Sequence, residues 1–262
     1  MSDTSNNTTT EGPGRRSMNC DALINHVSTH KIDCALWAIR LLSIVFAIGY
    51  LIPVFGSSQN AYYKVLIANA AISALRLHQR IGRVRLCREF LAELLLEDSF
   101  HYLFYSLIFL YVAPVTFVLL PIVLFSILHF ASYSLTLLDC LGQNSWWGAR
   151  LMISLVEFQS LNILRLVSFT EIMLMPITVM LILFGKASLL TPFIYYHFLT
   201  QRYSSRRNPY TRNMFRELRV FLEINAHKPT TPQFLRQAML FIVNFTCKLA
   251  PPQVQQPQAQ QQ

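Results

Sequence analysis

Residues 99–138 have the sequence SFHYLFYSLIFLYVAPVTFVLLPIVLFSILHFASYSLTLL, which contains no Asp, Glu, Lys or Arg. A helix needs roughly 20 apolar residues to cross a bilayer, so this stretch can supply two short spans or one long tilted span. The whole chain of 262 residues is 53% hydrophobic and 13% charged, whereas soluble domains are about a quarter charged. The sequence therefore predicts an all-α, polytopic helical membrane protein.

Further apolar blocks on either side of this stretch define a predicted membrane domain at 31–200. Within it we expect spans at about 35–55, 100–130 and 172–199, with 61–77 as a shorter candidate that carries Lys64 and Asn69. The polar head, 1–30, and the Gln-rich tail, 251–262, have compositions typical of disordered segments.

Two segments have the periodicity of amphipathic helices that lie in the headgroup plane. The second belongs to a basic C-terminal region, 201–250, in which arginines alternate with apolar residues. For 84–98, packing on the protein itself is an equally good interpretation, and 211–226 has protein binding as its alternative. The predicted apolar faces are Phe90, Leu91, Leu94 and Leu95 in the first helix, and Met214, Phe215, Leu218, Phe221 and Leu222 in the second.

The excess of positive charge is concentrated beside the apolar blocks. Lys and Arg number 22 against 13 Asp and Glu, a formal charge of +9. Short basic loops stay in the cytosol, so 76–88 and 202–219 should share one side, and an even number of crossings should separate them. The side of the N-terminus stays open. A predicted patch for anionic lipids or a partner comprises Arg202, Arg206, Arg207, Arg212, Arg216 and Arg219.

Polar residues inside the apolar blocks raise the alternative of a channel or transporter, because such groups are costly and often functional. Nearly all lie near predicted span ends, where reaching the interface is a sufficient explanation. They are Arg40, Lys64, Asn69, His101, His129, Glu171 and Lys186.

Sequence signatures of catalysis are missing from the chain. It has no G-x-S-x-G, H-E-x-x-H or G-x-G-x-x-G motif and no zinc-ligand spacing among its five cysteines. We therefore expect a protein that is not an enzyme, with no catalytic residues, no cofactor, no metal site and no nucleic-acid partner.

Three stretches carry a resemblance to a known family. They are LIANAAISALRLHQR (66–80), LLEDSFHYLFYSLIF (95–109) and FIYYHFLTQRYSSRRNPYTRNMFRELR (193–219). Together they closely resemble the transmembrane protein 33 (Krüppel homologue 2-like) family, from about residue 31 to residue 250. The RYSSRRNPY segment is the most specific part of the match.

The resemblance implies a multi-pass protein of the endoplasmic reticulum and nuclear envelope with a cytosolic C-terminus. It implies a role in organising the tubular reticulum beside reticulon-type membrane shapers, and assistance in nuclear pore assembly with pore proteins. The C-terminal amphipathic helix matches a membrane-binding feature of pore-associated relatives. An alternative from the same resemblance is regulation of reticulum calcium release or stress signalling through a channel or stress-sensor partner.

Overall fold

The computed structural model describes residues 19–52, 56–81, 88–142, 146–205 and 208–250, where every regular element is an α-helix. Three of the helices, α2, α6 and α8, are long and apolar enough to cross a membrane. The predicted fold class, a helical membrane protein, is confirmed. The helices are α1 (Cys20–Thr29), α2 (Lys31–Leu51), α3 (Ser58–Ile81), α4 (Arg88–Leu96), α5 (Asp98–Leu110), α6 (Thr116–Leu141), α7 (Trp147–Glu157), α8 (Ser160–Leu183), α9 (Leu190–Ser204), α10 (Tyr210–Ala226) and α11 (Gln233–Leu249).

Six helices form three consecutive antiparallel pairs, α2–α3, α5–α6 and α8–α9, whose connecting segments meet at one end of the bundle. The Tyr50 hydroxyl lies 2.9 Å from the Thr116 hydroxyl, which brings the first connection to the second. The Ala113 amide donates to the Lys186 carbonyl at 3.4 Å, which brings the second connection to the third. We call this the turn end.

The opposite end, which we call the charged end, holds the remaining helices. The Arg80 guanidinium at the end of α3 contacts Glu97 at 2.8 Å, and Arg202 at the end of α9 contacts Asp98 at 3.2 Å. In the chain, the bundle helices α5, α6 and α8 and the shorter helices α4 and α7 lie between the end of α3 and α9, which contains Arg202. Arg80 and Arg202 therefore lie at the same end of the bundle, and the even number of membrane crossings between the two basic segments stays a prediction.

The first helix also lies at the charged end. His26 lies 3.2 Å from the Tyr133 hydroxyl near the end of α6, and the Asn19 amide donates to the Leu141 carbonyl at 3.4 Å. Helix α6 runs antiparallel to α5, as the ring contact between Tyr102 and Phe125 shows, so its C-terminus lies beside the start of α5. The N-terminal end of the described chain thus lies at the charged end, whereas Leu249, near its C-terminal end, contacts Tyr196 in the middle of α9.

Aromatic side chains fill the core between α3, α5 and α9. The Tyr105 ring lies 4.9 Å from the Phe109 ring and 5.1 Å from the Phe198 ring, measured between centroids. Tyr105 is fully buried and donates its hydroxyl to the Val118 carbonyl at 2.8 Å. This bond joins α5 to the first turn of α6 and gives the buried Tyr105 hydroxyl an acceptor.

Several predicted boundaries differ from the observed ones. The predicted 100–130 span is two helices, because the chain breaks at 111–115 around Pro114, which has no amide hydrogen. The 172–199 block is also two helices, and α8 begins earlier, at Ser160. Residues 20–29 form α1, so the predicted disorder of 1–30 is wrong there; Asn19 caps this helix by accepting from the Ala22 amide at 3.1 Å. Residues 1–18 and the tail 251–262 lie outside the described residues.

Candidate functional site

An ion-pair cluster is buried at the charged end, between α5, α8 and α9. Glu171 and Arg202 are both fully enclosed, and Arg202 Nε donates to the two carboxylate oxygens of Glu171 at 3.0 and 3.2 Å. Arg202 Nη1 donates to Asp98 Oδ1 at 3.2 Å. One arginine therefore lies between two carboxylates, and the three side chains carry a formal net charge of −1.

Hydroxyl donors complete the shell of Glu171. The Tyr102 hydroxyl donates to Oε1 at 2.5 Å, and the Thr211 hydroxyl on α10 donates to Oε2 at 3.1 Å. The Tyr195 hydroxyl donates to the Glu171 backbone carbonyl at 2.7 Å. The carboxylate therefore receives hydrogen bonds from α5, α9 and α10. A buried charge needs this number of partners to offset its lost hydration.

The placement of Arg202 corrects one sequence prediction. Arg202 was expected in an exposed lipid or partner patch, but it is enclosed within the bundle. Arg202 can be enclosed because it forms ion pairs with Glu171 and Asp98, and the linear sequence does not show that these carboxylates lie beside it. Arg206 and Arg207 lie outside the described residues. The other three patch residues, Arg212, Arg216 and Arg219, are exposed on α10, where Arg219 pairs with Glu223 at 2.8 Å.

The interpretation of the polar residues as interfacial groups is also wrong for several of them. Arg40, Asn69, His101 and Glu171 are buried inside the bundle and lie within the helices α2, α3, α5 and α8. Asn69 Nδ2 donates to the Ser106 hydroxyl at 2.7 Å, so this amide is a helix-pairing contact between α3 and α5. The sequence shows that Glu171 is a charge inside an apolar block, but it does not show that Arg202, 31 residues later, is its partner.

Helix α10 turns most of its predicted apolar face toward the protein. Met214, Phe215, Leu218 and Leu222 are half-buried, while Phe221 is exposed. The Phe215 ring lies 5.8 Å from the Tyr203 ring, and α10 packs on α8, α9 and α11. The membrane-binding role of the five residues stays a prediction, and four of them are placed for contact within the protein.

Helix α10 exposes an apolar stripe that differs from the predicted face, and α11 also exposes large apolar side chains. Val220, Phe221 and Ile224 share one face of α10, at the i, i+1 and i+4 positions, and all are solvent-accessible in the bare protein. On α11, Phe234 is 82% exposed and Phe241 69%. The sequence marked α11 as apolar without identifying these aromatic residues, although their spacing of seven residues was a usable signal.

The first predicted interfacial helix is observed in part. Helix α4 covers Arg88–Leu96, with Phe90 and Leu94 half-buried and Leu95 exposed. The side chain of Leu91 and residues 84–87 lie outside the described part of the chain. Within the described residues, no group of three His, Cys, Asp or Glu side chains could hold a metal ion.

Comparisons with known proteins agree with this architecture. The family model described as Transmembrane protein 33/Nucleoporin POM33 matches residues 15–252. The chain is 52% identical over 236 residues to Krueppel homolog 2 of Drosophila melanogaster, covering 89% of this chain and 86% of the relative. It is 46% identical over 230 residues to Transmembrane protein 33 of Homo sapiens, covering 87% and 93%. No solved structure matches. The chain belongs to the Transmembrane protein 33/Nucleoporin POM33 family.

Proposed function

We propose that this chain is a non-enzymatic membrane protein of the endoplasmic reticulum and nuclear envelope that helps to organise the tubular reticulum network. Its cytosolic side is the charged end, and its physical action is to occupy more volume in the cytosolic leaflet than in the opposite one. The family description, which includes a nucleoporin, supports a second place of action at the nuclear pore. Reticulon-type shapers and pore proteins are the proposed partners.

The observation that carries this proposal is the unequal distribution of helices between the two ends. Helices α1, α4, α7 and α10 join the bundle at the charged end, and α11 extends from α10 to Tyr196 in the middle of α9, whereas at the turn end the described residues form only short connections between paired helices. Two bundle helices are also short: α5 has 13 residues and α9 has 15, about 20 and 22 Å at 1.5 Å per residue. A hydrocarbon core is about 30 Å thick. Such a shape widens one leaflet and favours curvature toward it.

The exposed apolar side chains at the charged end supply the binding energy. Burying one large apolar side chain contributes about 1.5–3 kcal/mol. The three residues of the exposed α10 stripe, Val220, Phe221 and Ile224, therefore contribute about 5 kcal/mol if the bilayer covers them. Each arginine near an anionic leaflet adds about 1 kcal/mol. The burial of apolar side chains and the attraction of arginines to anionic lipids both act in the leaflet at the charged end.

The test compares the full chain with a variant in which Val220, Phe221 and Ile224 become Ser. These side chains are exposed, so the variant should keep its fold while losing leaflet insertion. After acute depletion of the endogenous protein, the wild type should restore the ratio of tubules to sheets and the variant should not. The matched control replaces three exposed polar residues of the same region with Ser: Asn213, Glu217 and His227.

An unchanged tubule-to-sheet ratio after depletion would refute the shaping role. Equal rescue by the stripe variant would refute the contribution of α10 to that role. Purified chain in liposomes provides the direct readout, since the wild type should narrow the vesicles into tubules at a lower protein-to-lipid ratio than the stripe variant. The control variant should match the wild type in both assays.

A further inference from the structure

A half-open cavity of about 200 Å³ lies at the charged end between α4, α5 and α9. Leu95 and Leu96 form its apolar side, and His101, Gln201 and Ser204 are among the polar groups that line it. Liquid water occupies about 30 Å³ per molecule, so the space corresponds to about six or seven waters. That is large enough for a small polar head group.

His101, which lines this cavity, has a buried ring nitrogen without a hydrogen-bond partner. The ring is fully enclosed, and its Nε2 lies 2.8 Å from the Leu95 carbonyl. A carbonyl only accepts, so Nε2 carries the proton and Nδ1 of the neutral ring is an acceptor. Nδ1 makes no hydrogen bond; its nearest charged neighbour, Asp98 Oδ1 at 3.6 Å, is also an acceptor.

A second residue that lines the cavity also has a buried acceptor without a hydrogen-bond partner. The Gln201 Oε1 atom is buried and has no hydrogen-bond partner. Buried polar atoms without partners are rare in folded proteins and cost about 1–3 kcal/mol each. Arg202 Nη2, a donor, is also buried without a partner, but Arg202 does not line the cavity. The two unpaired atoms that belong to the lining residues are both acceptors, which indicates that the missing partner is a hydrogen-bond donor.

The charge around the cavity selects among donor groups. The adjoining cluster of Asp98, Glu171 and Arg202 carries a formal net charge of −1, which favours a cationic group over an anionic group inside the cavity. A primary ammonium has three N–H donors and no acceptor, so it matches both the unpaired acceptors and the sign of the charge. A quaternary ammonium has the charge but no N–H, and the cavity lining has no aromatic cage other than the His101 ring.

We propose that this cavity binds a primary ammonium group, with His101 Nδ1 and Gln201 Oε1 as its acceptors. Two sources share this chemistry, the ethanolamine head group of a membrane phospholipid and a free small amine. The apolar residues Leu95 and Leu96 beside the opening give the phospholipid an acyl-chain contact that a free amine does not use. The site is independent of any action of the protein on membrane curvature.

The experiment uses the purified full chain in phosphatidylglycerol nanodiscs, whose lipid has no amine, with a phosphatidylethanolamine probe that carries a photoreactive diazirine and an alkyne. Competitors are ethanolamine phospholipids with zero, one, two or three N-methyl groups, phosphatidic acid, and free ethanolamine. Labelling should fall at least tenfold with the unmethylated competitor. Competition should weaken with each methyl group and be absent with the trimethylated lipid and phosphatidic acid. Competition by free ethanolamine at equal concentration would identify a soluble amine as the ligand.

Two substitutions of Gln201 should change the labelling in opposite directions. Gln201→Glu adds a carboxylate and should increase labelling about fivefold, a gain that misfolding cannot produce. Gln201→Leu should lower labelling by a similar factor, and Ser204→Trp should block the opening. Ser154→Trp, an exposed serine on α7, is the matched control. Equal competition by the trimethylated lipid, or labelling that Gln201→Glu and Ser204→Trp leave unchanged, would overturn the proposal.

Discussion

Removal of one member of the buried Glu171–Arg202 pair should destabilise the protein more than removal of both. In Arg202→Leu, Glu171 stays fully enclosed and keeps only two hydroxyl donors, from Tyr102 and Thr211. Breaking a buried ion pair typically costs about 3–5 kcal/mol, and these hydroxyls place the expected loss near 3 kcal/mol. In Glu171→Leu, Arg202 keeps Asp98 at 3.2 Å, so the loss should also be about 3 kcal/mol.

The double variant removes both buried charges together. Two hydroxyls lose their acceptor, at about 1 kcal/mol each. Asp98 loses Arg202 as well, but its side chain is 28% exposed and keeps the Ser205 hydroxyl as a donor at 2.9 Å, so no fully enclosed charge is left without a partner. Glu171→Leu/Arg202→Leu should therefore unfold at about the same denaturant concentration as either single variant, or at a higher one. Two independent sites would instead add their losses, so the difference from additivity is about 4 kcal/mol.

The assay is reversible unfolding of the full chain in mixed micelles, followed by helical circular dichroism. The matched control is the ion pair between Arg165 on α8 and Glu217 on α10, at 2.7 Å with 55% and 48% of the side chains exposed. Water screens this pair, so its double-mutant cycle should show no measurable coupling. Additive losses at Glu171 and Arg202, or a double variant less stable than both singles by several kcal/mol, would refute the buried pairing.

Three further substitutions have effects that follow from single contacts, each measured in the same unfolding assay. Arg40→Leu should leave stability unchanged or raise it, because Arg40 is buried in the described structure without an ion pair or hydrogen bond; a large loss would contradict this. Tyr105→Phe should cost about 1 kcal/mol by removing the buried hydrogen bond between α5 and α6, and an unchanged midpoint would show that this bond adds no stability. Gly142→Ala should cost about 1 kcal/mol because Gly142 ends α6 with φ +73°, and a stabilised variant would contradict the left-handed conformation.

The fold class and the number of long apolar helices were predictable because they depend on local hydrophobicity. Helices α2, α6 and α8 each contain a long apolar stretch with few charged residues, which can be recognised from composition alone. Their pairing with α3, α5 and α9 was less visible, since these partners are shorter or more polar. The apolar block at 99–138 is continuous in composition, and only Pro114 indicates the break that divides it.

The buried cluster was not predictable, because it depends on residues far apart in the chain. Arg202 follows an apolar helix and precedes other arginines, a context typical of a stop-transfer segment. Its burial results from Glu171, 31 positions earlier, and from Asp98, 104 positions earlier. Periodicity likewise identified the apolar face of α10 without showing that α8 and α11 would cover most of it.

The cluster also connects the bundle to the helix that we propose to enter the membrane surface. Thr211, in the first turn of α10, donates to Glu171, and Arg236 at the start of α11 donates to the Ala226 carbonyl at 3.0 Å. A wedge bends a bilayer only if its surface helices are held at a constant position relative to the spans, because a freely tethered helix can move aside as lipids rearrange. The polar contacts to Thr211 and Arg236 hold α10 and α11 against the six-helix bundle, which is the rigid attachment that the proposed shaping role requires.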